Sequence, residues 1–301
     1  TMNRKRKRQT AQLEELASKR QSNFKDICRR MAKNKPAMAG LVIISLFILA
    51  AVFADFIADF DTVVIAQNPE IRLQGPSAQH WFGTDGYGRD IFARIVHGAR
   101  ASLSIAFITT AISTIAGGAL GSLAGYYGGK IDNVIMRIID MIMCLPPMLF
   151  SLSIVSALGP GMRNMIIAVS VTMTPYFTRV VRASILTVVG SDFVEAARSC
   201  GSGDARIILR HIIPNTLGPV IVQATMSVSF MIMLAASLSF IGLGVQPPSP
   251  EWGEMLSSGS EYMRYSPYIV AFPGLAIVLS ALSLNLLGDG LRDALDPRLK
   301  N

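Results

Sequence analysis

The residues most able to do chemistry are few and far apart. The three histidines, at positions 80, 97 and 211, have no metal-ligand neighbour at helical spacing, and the chain contains neither an HExxH motif nor a GxSxG elbow. Cys28, Cys144 and Cys200 are too few and too dispersed for a disulfide framework or a zinc site. The sequence therefore predicts no metal site and no catalytic residue.

The nearest approach to a phosphate-binding loop is Gly129 followed by Lys130. Ala124 stands where the first glycine of a P-loop belongs, and Ile131 stands where Ser or Thr should follow the lysine. Without those residues the chain cannot bind and split ATP alone. We expect no cofactor of its own.

Two acidic residues raise the question of intramembrane chemistry. Asp289 lies in LLGDG near the end of an apolar stretch, and a candidate partner, Asp140, lies near the start of another. A single acid at a helix end acts as a charge and not as a catalytic pair. Proton-coupled transport is disfavoured for a related reason, since the long apolar stretches contain no ionisable group.

The spacing of the charges defines the elements that surround these residues. Only 16% of the 301 residues are charged, and six stretches of 15 to 39 residues contain no Asp, Glu, Lys or Arg. Crossing about 30 Å of hydrocarbon takes roughly 20 mostly apolar residues. The mean hydropathy of +0.43 agrees with a membrane protein and excludes a soluble domain, a disordered chain and a nucleic-acid-binding module. The charge-free stretches are 36–54, 101–129, 141–162, 164–178, 212–250 and 265–288.

The fold class predicted is all-α, a polytopic membrane protein with six transmembrane helices. A basic cytosolic segment, 1–35, precedes a six-span domain over 36–300. A cleaved signal peptide is the alternative for the first apolar stretch, but about 35 polar residues precede it and no small-x-small site follows. The predicted spans are 36–57, 101–127, 138–159, 164–181, 215–244 and 267–288.

The positive charge indicates how the chain is threaded. Residues 1–35 hold 12 Lys and Arg against 3 acidic residues, a net charge of +9. This exceeds the net charge of +8 of the whole chain. If the N-terminus is cytosolic, 22 of the 28 basic residues lie inside, so the positive-inside rule places both termini in the cytosol. This orientation predicts that the basic tail is a solvated anchor. Binding of the tail to anionic lipid or nucleic acid is the alternative.

Two outside loops, 58–100 and 245–266, are long enough to have structure. In the first, GTDGYGRD (83–90) predicts turns, and 91–103 predicts an interfacial amphipathic helix. In the second, three prolines after residue 246 are expected to end the fifth span, and aromatic residues including Trp252 suit a membrane interface. Trp252, Glu251 and Glu254 are our candidates for a gate or for contact with a binding protein, although a structural cover serves equally well.

The cytosolic loop 182–214 carries the sharpest local pattern. Asp192 and Glu195 are spaced as a capping box and predict a short helix over 193–200 that Gly201 ends. A second short helix is predicted from Ser202 to Ile213, with Ile208, Leu209 and Ile212 on one side, before Pro214 opens the fifth span. Two helices broken at a glycine form a compact knob, which either receives a cytosolic partner or merely connects two spans.

Two further patterns concern the apolar stretches. Gly117, Gly121 and Gly125 recur at every fourth residue, which favours close packing of a neighbouring helix over direct contact with cargo. Pro146 and Pro147 are expected to kink or interrupt the third span.

The loop EAARSCGSGDARIILRHIIPN (195–215) resembles the EAA loop of ABC importer permeases, with Gly201 and then Pro214 thirteen positions later. Residues 83–103, 237–256 and 285–300 resemble the oligopeptide/dipeptide/nickel branch of that family, specifically its C-type permease subunit. The similarity covers about residues 26–300, and Ser199–Cys200 is the less usual part of the loop.

The resemblance implies a type I ABC importer permease fold in a bacterial or archaeal cytoplasmic membrane. It implies a second homologous permease subunit, two ATPase subunits that bind ATP and Mg²⁺, and an extracytoplasmic substrate-binding protein. By this resemblance Glu195, Ala196, Ala197, Gly201, Arg206 and Pro214 form the coupling surface for the ATPases.

The cargo implied is peptide, because neither the histidines nor the cysteines suggest a metal path. Nickel chelates, glutathione and oligosaccharides remain alternatives within the same architecture. A membrane enzyme, a scaffold or a passive channel are the alternatives outside it.

Overall fold

The computed structural model describes residues 28–295, and these residues form an α-helical protein. Within them no strand is present, and one isolated bridge joins Thr84 to Asp90. The predicted all-α, membrane-spanning fold class is confirmed. Most of the basic segment and both chain ends lie outside the described residues.

The helices are numbered in chain order. They are α1 (Lys35–Val52), α2 (Ala54–Ile57), α3 (Ile91–Tyr127), α4 (Gly129–Met143), α5 (Pro147–Leu158), α6 (Met162–Leu186), α7 (Asp192–Ser199), α8 (Asp204–Phe240), α9 (Trp252–Gly259) and α10 (Tyr268–Leu295). Residues 28–33 are also helical, Phe60–Val64 form a π-helical turn, and Pro69–Ile71 and Ser260–Tyr262 form 3₁₀ turns.

Among the described residues, α1, α3, α8 and α10 are long and apolar enough to cross a membrane. The pair α4 and α5 meets at a bend of 88° and adds a fifth crossing if it is one broken span. Helix α6 has 25 residues but carries Arg163, Arg179 and Arg182, which lower its apolar character. The six predicted spans therefore require α4 with α5 to count as one span and α6 as another.

The bend between α4 and α5 lies where the sequence predicts an interruption. Helix α4 ends at Met143, and Pro147 is the first residue of α5. Pro146 has an extended backbone, with φ of −57° and ψ of 132°, so it separates the two helices.

The predicted interfacial helix over 91–103 is wrong. These residues are the first turns of α3, and Ile91, Arg94 and Leu103 are each at most 4% exposed. The arginines suggested a helix lying at the membrane surface, but Arg94 is paired inside the protein. With 37 residues, α3 is about 55 Å long and extends well beyond the hydrocarbon.

The predicted break before the fifth span is also wrong. Helix α8 runs without interruption from Asp204 to Phe240, through a π-helical turn at Ile208–Ile212. Pro214 lies in the first turn of the α-helical part that follows, where a missing N–H is best tolerated. At its far end α8 stops at Phe240 and Gly242 has a φ of +87°, so glycine and not the later prolines ends this helix.

The glycine spacing predicts that a neighbouring helix packs closely against α3, and that neighbour is α6. A Cβ atom at Gly117 would lie 2.6 Å from Cβ of Phe177, and one at Gly121 would lie 2.6 Å from the carbonyl oxygen of Thr178. At Gly125 it would lie 3.0 Å from Cβ of Ile185. These glycines, which have no side chain, thus let one face of α3 pack directly against α6.

This contact predicts that Gly121→Ala destabilises the protein, because the added methyl group forces α3 and α6 apart. Overpacking of this kind costs about 1–3 kcal/mol, which exceeds the roughly 1 kcal/mol that alanine gains in helix propensity. Thermal unfolding of the detergent-solubilised protein measures the change. The matched control is Gly118→Ala on the same helix, where a Cβ atom meets nothing within 4 Å. Equal unfolding temperatures for the two variants would contradict the prediction.

Candidate functional site

The helix α7 forms an exposed projection between α6 and α8. It begins at Asp192 with Ser191 at the N-cap, and no side chain caps it, so the predicted capping box built on Asp192 and Glu195 is absent. The Ser191 hydroxyl instead donates to the carbonyl of Val188. Glu195 lies in the first turn, where a carboxylate is favoured by the helix dipole.

The end of α7 follows the prediction. Gly201 has a φ of +72°, and its N–H donates to the carbonyl of Arg198 at 2.9 Å. The N–H of Ser202 donates to the carbonyl of Ala197 at 3.1 Å. This pair of bonds is a Schellman motif, which needs the left-handed backbone that glycine adopts without strain.

Beneath α7 lies a small apolar core, separate from the main one. It joins α7 to the ends of three long helices, and we call it the knob core. Its buried members are Tyr126, Val181, Ile185, Val194, Ile207, Ile208 and Ile212. The predicted apolar side of the second short helix is corrected here, because Leu209 is 67% exposed and Ile207 is buried in its place. The π-helical turn shifts the register of the side chains, so the regular spacing of an α-helix fails at this point.

Polar contacts also fix the knob to the membrane helices. The hydroxyl of Tyr126, at the end of α3, donates to Oδ1 of Asp204 in the first turn of α8 at 2.7 Å. The guanidinium of Arg198 in α7 lies over the ring of Tyr126, 5.1 Å from its centre. One tyrosine therefore contacts both halves of the loop.

The arginines at the end of α6 hold α4 beside the knob. Arg182 donates from Nε to Oδ1 of Asp132 at 2.5 Å and from Nη2 to Oδ2 at 2.6 Å. Arg179 donates to Oδ1 of Asp140 at 2.5 Å. The carboxylates of α4 therefore bind both guanidinium groups.

The residues that the resemblance assigns to coupling are mostly on the surface. Glu195, Ala196 and Arg206 are exposed, and Ala197 is half-buried against the knob core. Pro214 is exposed in α8, and Gly201 is at the surface turn. Glu195 forms no ion pair within residues 28–295, and its side chain is exposed.

The opposite end of the protein holds a buried cluster of charges. Arg94, which is 1% exposed, donates from Nη2 to Oε2 of Glu254 at 3.1 Å, and its Nε lies 3.6 Å from Oδ2 of Asp85. Arg89 donates from Nε to the same oxygen of Asp85 at 2.7 Å. Burial raises the pKa of the Glu254 carboxyl above its ordinary value, and the charge of Arg94 opposes that rise. We call these four residues the outer ion-pair cluster.

Trp252 and Glu251 are buried next to this cluster. The indole Nε1 donates to the carbonyl of Ile95 at 3.0 Å, and the hydroxyl of Ser102 donates to Oε1 of Glu251 at 2.8 Å. Glu251 also caps α9 by accepting from the N–H of Glu254 at 3.0 Å. Trp252 is 0% exposed, so the expectation that it sits at the membrane interface is wrong. Trp252, Glu251 and Glu254 are not available for contact with a second protein in this conformation.

Several of these partners carried no signal in the sequence. The pairs Arg94–Glu254 and Tyr126–Asp204 are separated by 160 and 78 residues, and nothing in the local pattern connects them. The position of Arg94 inside the predicted amphipathic segment was the one sequence feature that indicated a buried ion pair. Among residues 28–295, no group of three or more His, Cys, Asp or Glu side chains is placed to hold a metal ion.

Comparisons with known proteins agree with this arrangement. Residues 117–301 match the family described as binding-protein-dependent transport system inner membrane component, and residues 22–76 match the N-terminal TM domain of oligopeptide transport permease C. The second match covers α1 and the segment after it.

Three curated relatives are similar over most of their length. The dipeptide transport system permease protein DppC of Alkalihalophilus pseudofirmus is 46% identical, over 93% of this chain and 91% of the relative. The di/tripeptide transport system permease protein DppC of Pseudomonas aeruginosa is 43% identical, over 93% and 94%. The glutathione transport system permease protein GsiD of Escherichia coli is 45% identical, over 90% and 89%.

Solved structures show the same fold at much lower identity. An inward-facing structure of the MetNI methionine ABC transporter superimposes with a TM-score of 0.57 at 18% identity, over 68% of this chain and 98% of that one. An amino acid ABC transporter solved with histidines gives a TM-score of 0.52 at 18% identity.

The knob core predicts that Val194→Ala loosens α7, because the lost methyl groups leave a cavity under the helix. The cost is about 2 kcal/mol. Hydrogen–deuterium exchange of residues 192–199 measures it as faster exchange. Phe193→Ala is the control on the same helix, because that side chain is 43% exposed and its removal leaves no cavity. Unchanged exchange in the Val194 variant would show that α7 does not depend on this core.

The outer ion-pair cluster predicts that Arg94→Leu is strongly destabilising, because it leaves the carboxylates of Glu254 and Asp85 buried beside one remaining arginine. The expected loss is about 3–5 kcal/mol, measured by thermal unfolding in detergent. Adding Glu254→Gln should recover part of that loss by removing one uncompensated charge. Arg100→Leu on the same helix is the control, because its ion pair with Asp55 is exposed and is worth about 1 kcal/mol or less. A double variant as unstable as the single one would contradict this account.

Proposed function

The chain belongs to the family of binding-protein-dependent transport system inner membrane components, and we propose that it is the permease subunit of an ATP-driven importer of peptides. Its fold is that of type I ABC importer permeases. The observation that carries the proposal is the exposed helix α7, which rests on the ends of three long helices through the knob core. A movement of α7 is therefore transmitted directly to the membrane helices.

The partners in this proposal are two ATPase subunits, a second homologous permease and an extracytoplasmic substrate-binding protein. The ATPases bind ATP and Mg²⁺, and this chain serves as a transport subunit without an ATPase site. The exposed and unpaired carboxylate of Glu195 supports a contact with a basic residue of an ATPase. Ala196 and Ala197 have small side chains that let an ATPase surface approach the helix closely, and Arg206 presents a charge nearby in the chain.

The cycle follows alternating access. Binding of ATP closes the two ATPases and moves α7, and α8 and α6 carry that motion into the membrane because both contact the knob core. The permeases then open outward, cargo enters from the binding protein, and hydrolysis resets the inward-facing state. Gly201 provides the sharp turn that keeps α7 compact between these two helices.

The cargo proposed is a dipeptide or an oligopeptide. The relatives named for dipeptides, di- and tripeptides and glutathione support this choice, since glutathione is itself a tripeptide. Nickel chelates and oligosaccharides stand as alternatives, but no cluster of metal ligands among the described residues favours the first. The binding protein would set most of the selectivity.

The chain is a multi-pass membrane protein, and the membrane we propose is the bacterial or archaeal cytoplasmic membrane. In this proposal both termini lie in the cytosol, on the same side of the membrane as α7. The distribution of basic residues supports this orientation, because α7 and the first turns of α8 contain Arg198, Arg206 and Arg210.

A scaffold, a membrane enzyme and a passive channel are distinguished from the importer by simple measurements. The importer co-purifies with an ATPase and a second permease, and its uptake of peptide stops when ATP is withheld. A scaffold shows no uptake, and a channel shows flux without ATP.

Reversal of the charge at Glu195 is the test of coupling. Glu195→Lys is expected to reduce ATP-driven peptide uptake in proteoliposomes by at least about tenfold, because a lysine repels the proposed basic partner. Co-purification of the ATPase should weaken in parallel, whereas thermal unfolding of this subunit should stay unchanged. Glu261→Lys is the control, because it makes the same charge change on the exposed opposite end. Uptake that persists in the Glu195 variant would remove the coupling role.

A further inference from the structure

A cavity of about 650 Å³ lies in the membrane region between α5, α6, α8 and α10, next to the bend after α4. This volume is within the range of small-molecule sites, roughly 300–1,000 Å³. None of its fifteen lining residues is charged, although ion pairs exist on either side of the membrane region. The cavity belongs to neither the knob nor the outer ion-pair cluster.

Two carboxamide side chains line this uncharged space. Asn285 is the only Asn or Gln in the apolar stretch 265–288 of α10, and it is exposed to the cavity. Gln223 is half-buried and lines the cavity from α8. A carboxamide facing lipid would be left without hydrogen bonds at considerable cost, so its position in a cavity calls for a polar occupant.

Both carboxamides keep hydrogen-bonding capacity after their contacts within the protein. The hydroxyl of Ser229 lies 2.6 Å from Oδ1 of Asn285 and 2.7 Å from the carbonyl oxygen of Met226. These contacts engage one end of the Asn285 amide and leave the other end free to bond an occupant. Nε2 of Gln223 donates to the hydroxyl of Ser227 at 3.3 Å, which leaves its Oε1 free to accept.

Most of the remaining lining is apolar, and four hydroxyl-bearing residues, Thr172, Tyr176, Ser227 and Ser229, complete it. Met143, Met173, Met226 and Met233 line the cavity together with Phe150 and Phe230. Methionine side chains adapt to different shapes because they are unbranched and polarisable. Such a wall accepts side chains of different sizes without a fixed pocket for any one of them.

We propose that this cavity is a transit subsite in which Asn285 and Gln223 bind the backbone amides of the peptide. This inference rests on the proposed function. A carboxamide both donates and accepts, so it matches the amide unit that every peptide contains. A fixed charge would instead favour peptides of one sign and hold them, because Coulomb interactions are strong in a low-dielectric site. The neutral lining therefore lets peptides with acidic, basic and apolar side chains pass.

The test introduces a charge at the subsite of the complete transporter. ATP-driven uptake of radiolabelled Ala-Lys and Ala-Glu is measured in proteoliposomes that contain both permeases, with the ATPases and the binding protein present. The wild-type protein is expected to take up both peptides. Asn285→Asp should raise the ratio of Ala-Lys to Ala-Glu uptake at least about fivefold, and Asn285→Lys should shift it in the opposite direction. Asn285→Gln, which keeps the carboxamide, should leave the ratio unchanged.

The opposite shifts separate a cargo site from a structural one. Equal loss of both peptides in the Asp and Lys variants, or an unchanged ratio, would overturn the subsite. Loss of the second permease from the purified complex would show that the cavity is filled by that subunit instead, and would also overturn it. Gln223→Glu and Gln223→Lys repeat the comparison at the second position if the Asn285 variants fail to assemble. If none of the four variants assembles, the cavity is an interface with the second permease, and the subsite is overturned. Absence of peptide uptake by the wild-type complex would instead contradict the proposed function.

Discussion

The close contact between α3 and α6 is the constraint on which the rest of the structure depends. Gly117, Gly121 and Gly125 let the two backbones approach along three turns. Because the contact extends to Ile185, it also determines where the end of α6 meets α7. The same end of α6 holds α4 through the ion pairs of Arg179 and Arg182. The proposed site for a cytosolic partner is therefore assembled on a helix pair whose spacing is set by three glycines.

The outer ion-pair cluster plays the corresponding part at the other end. Arg94 is surrounded by the carboxylates of Glu254 and Asp85 and by the carbonyls of Val64 and Pro248, so one guanidinium joins four segments of the outer loops to α3. Gly253 lets α9 lie against α8, because a Cβ atom there would be 2.4 Å from the carbonyl oxygen of Ala236. The segment after α8 is thus a fixed cover and does not hang free in solvent.

Properties set by composition and local backbone could be predicted from the sequence. The charge-free stretches indicated where the long helices lie, and the left-handed backbone at Gly201 ended α7 as expected. Predictions that depended on distant contacts failed. Arg94 suggested a helix at the membrane surface because the local sequence shows no partner for its charge. Its partner, Glu254, lies 160 residues away. Pro214 suggested a break, but a π-helical turn precedes it, so the strain that a proline causes inside a regular helix is avoided.

The uninterrupted course of α8 has a mechanical consequence. At 37 residues it is about 55 Å long, and its first turn is held at Asp204 by Tyr126. An extended linker transmits only tension, because it folds under compression. A continuous helix behaves as a strut and resists both. A movement at the α7 end of this helix can therefore push the membrane helices apart as well as draw them together, so both strokes of the proposed cycle can be driven through one element.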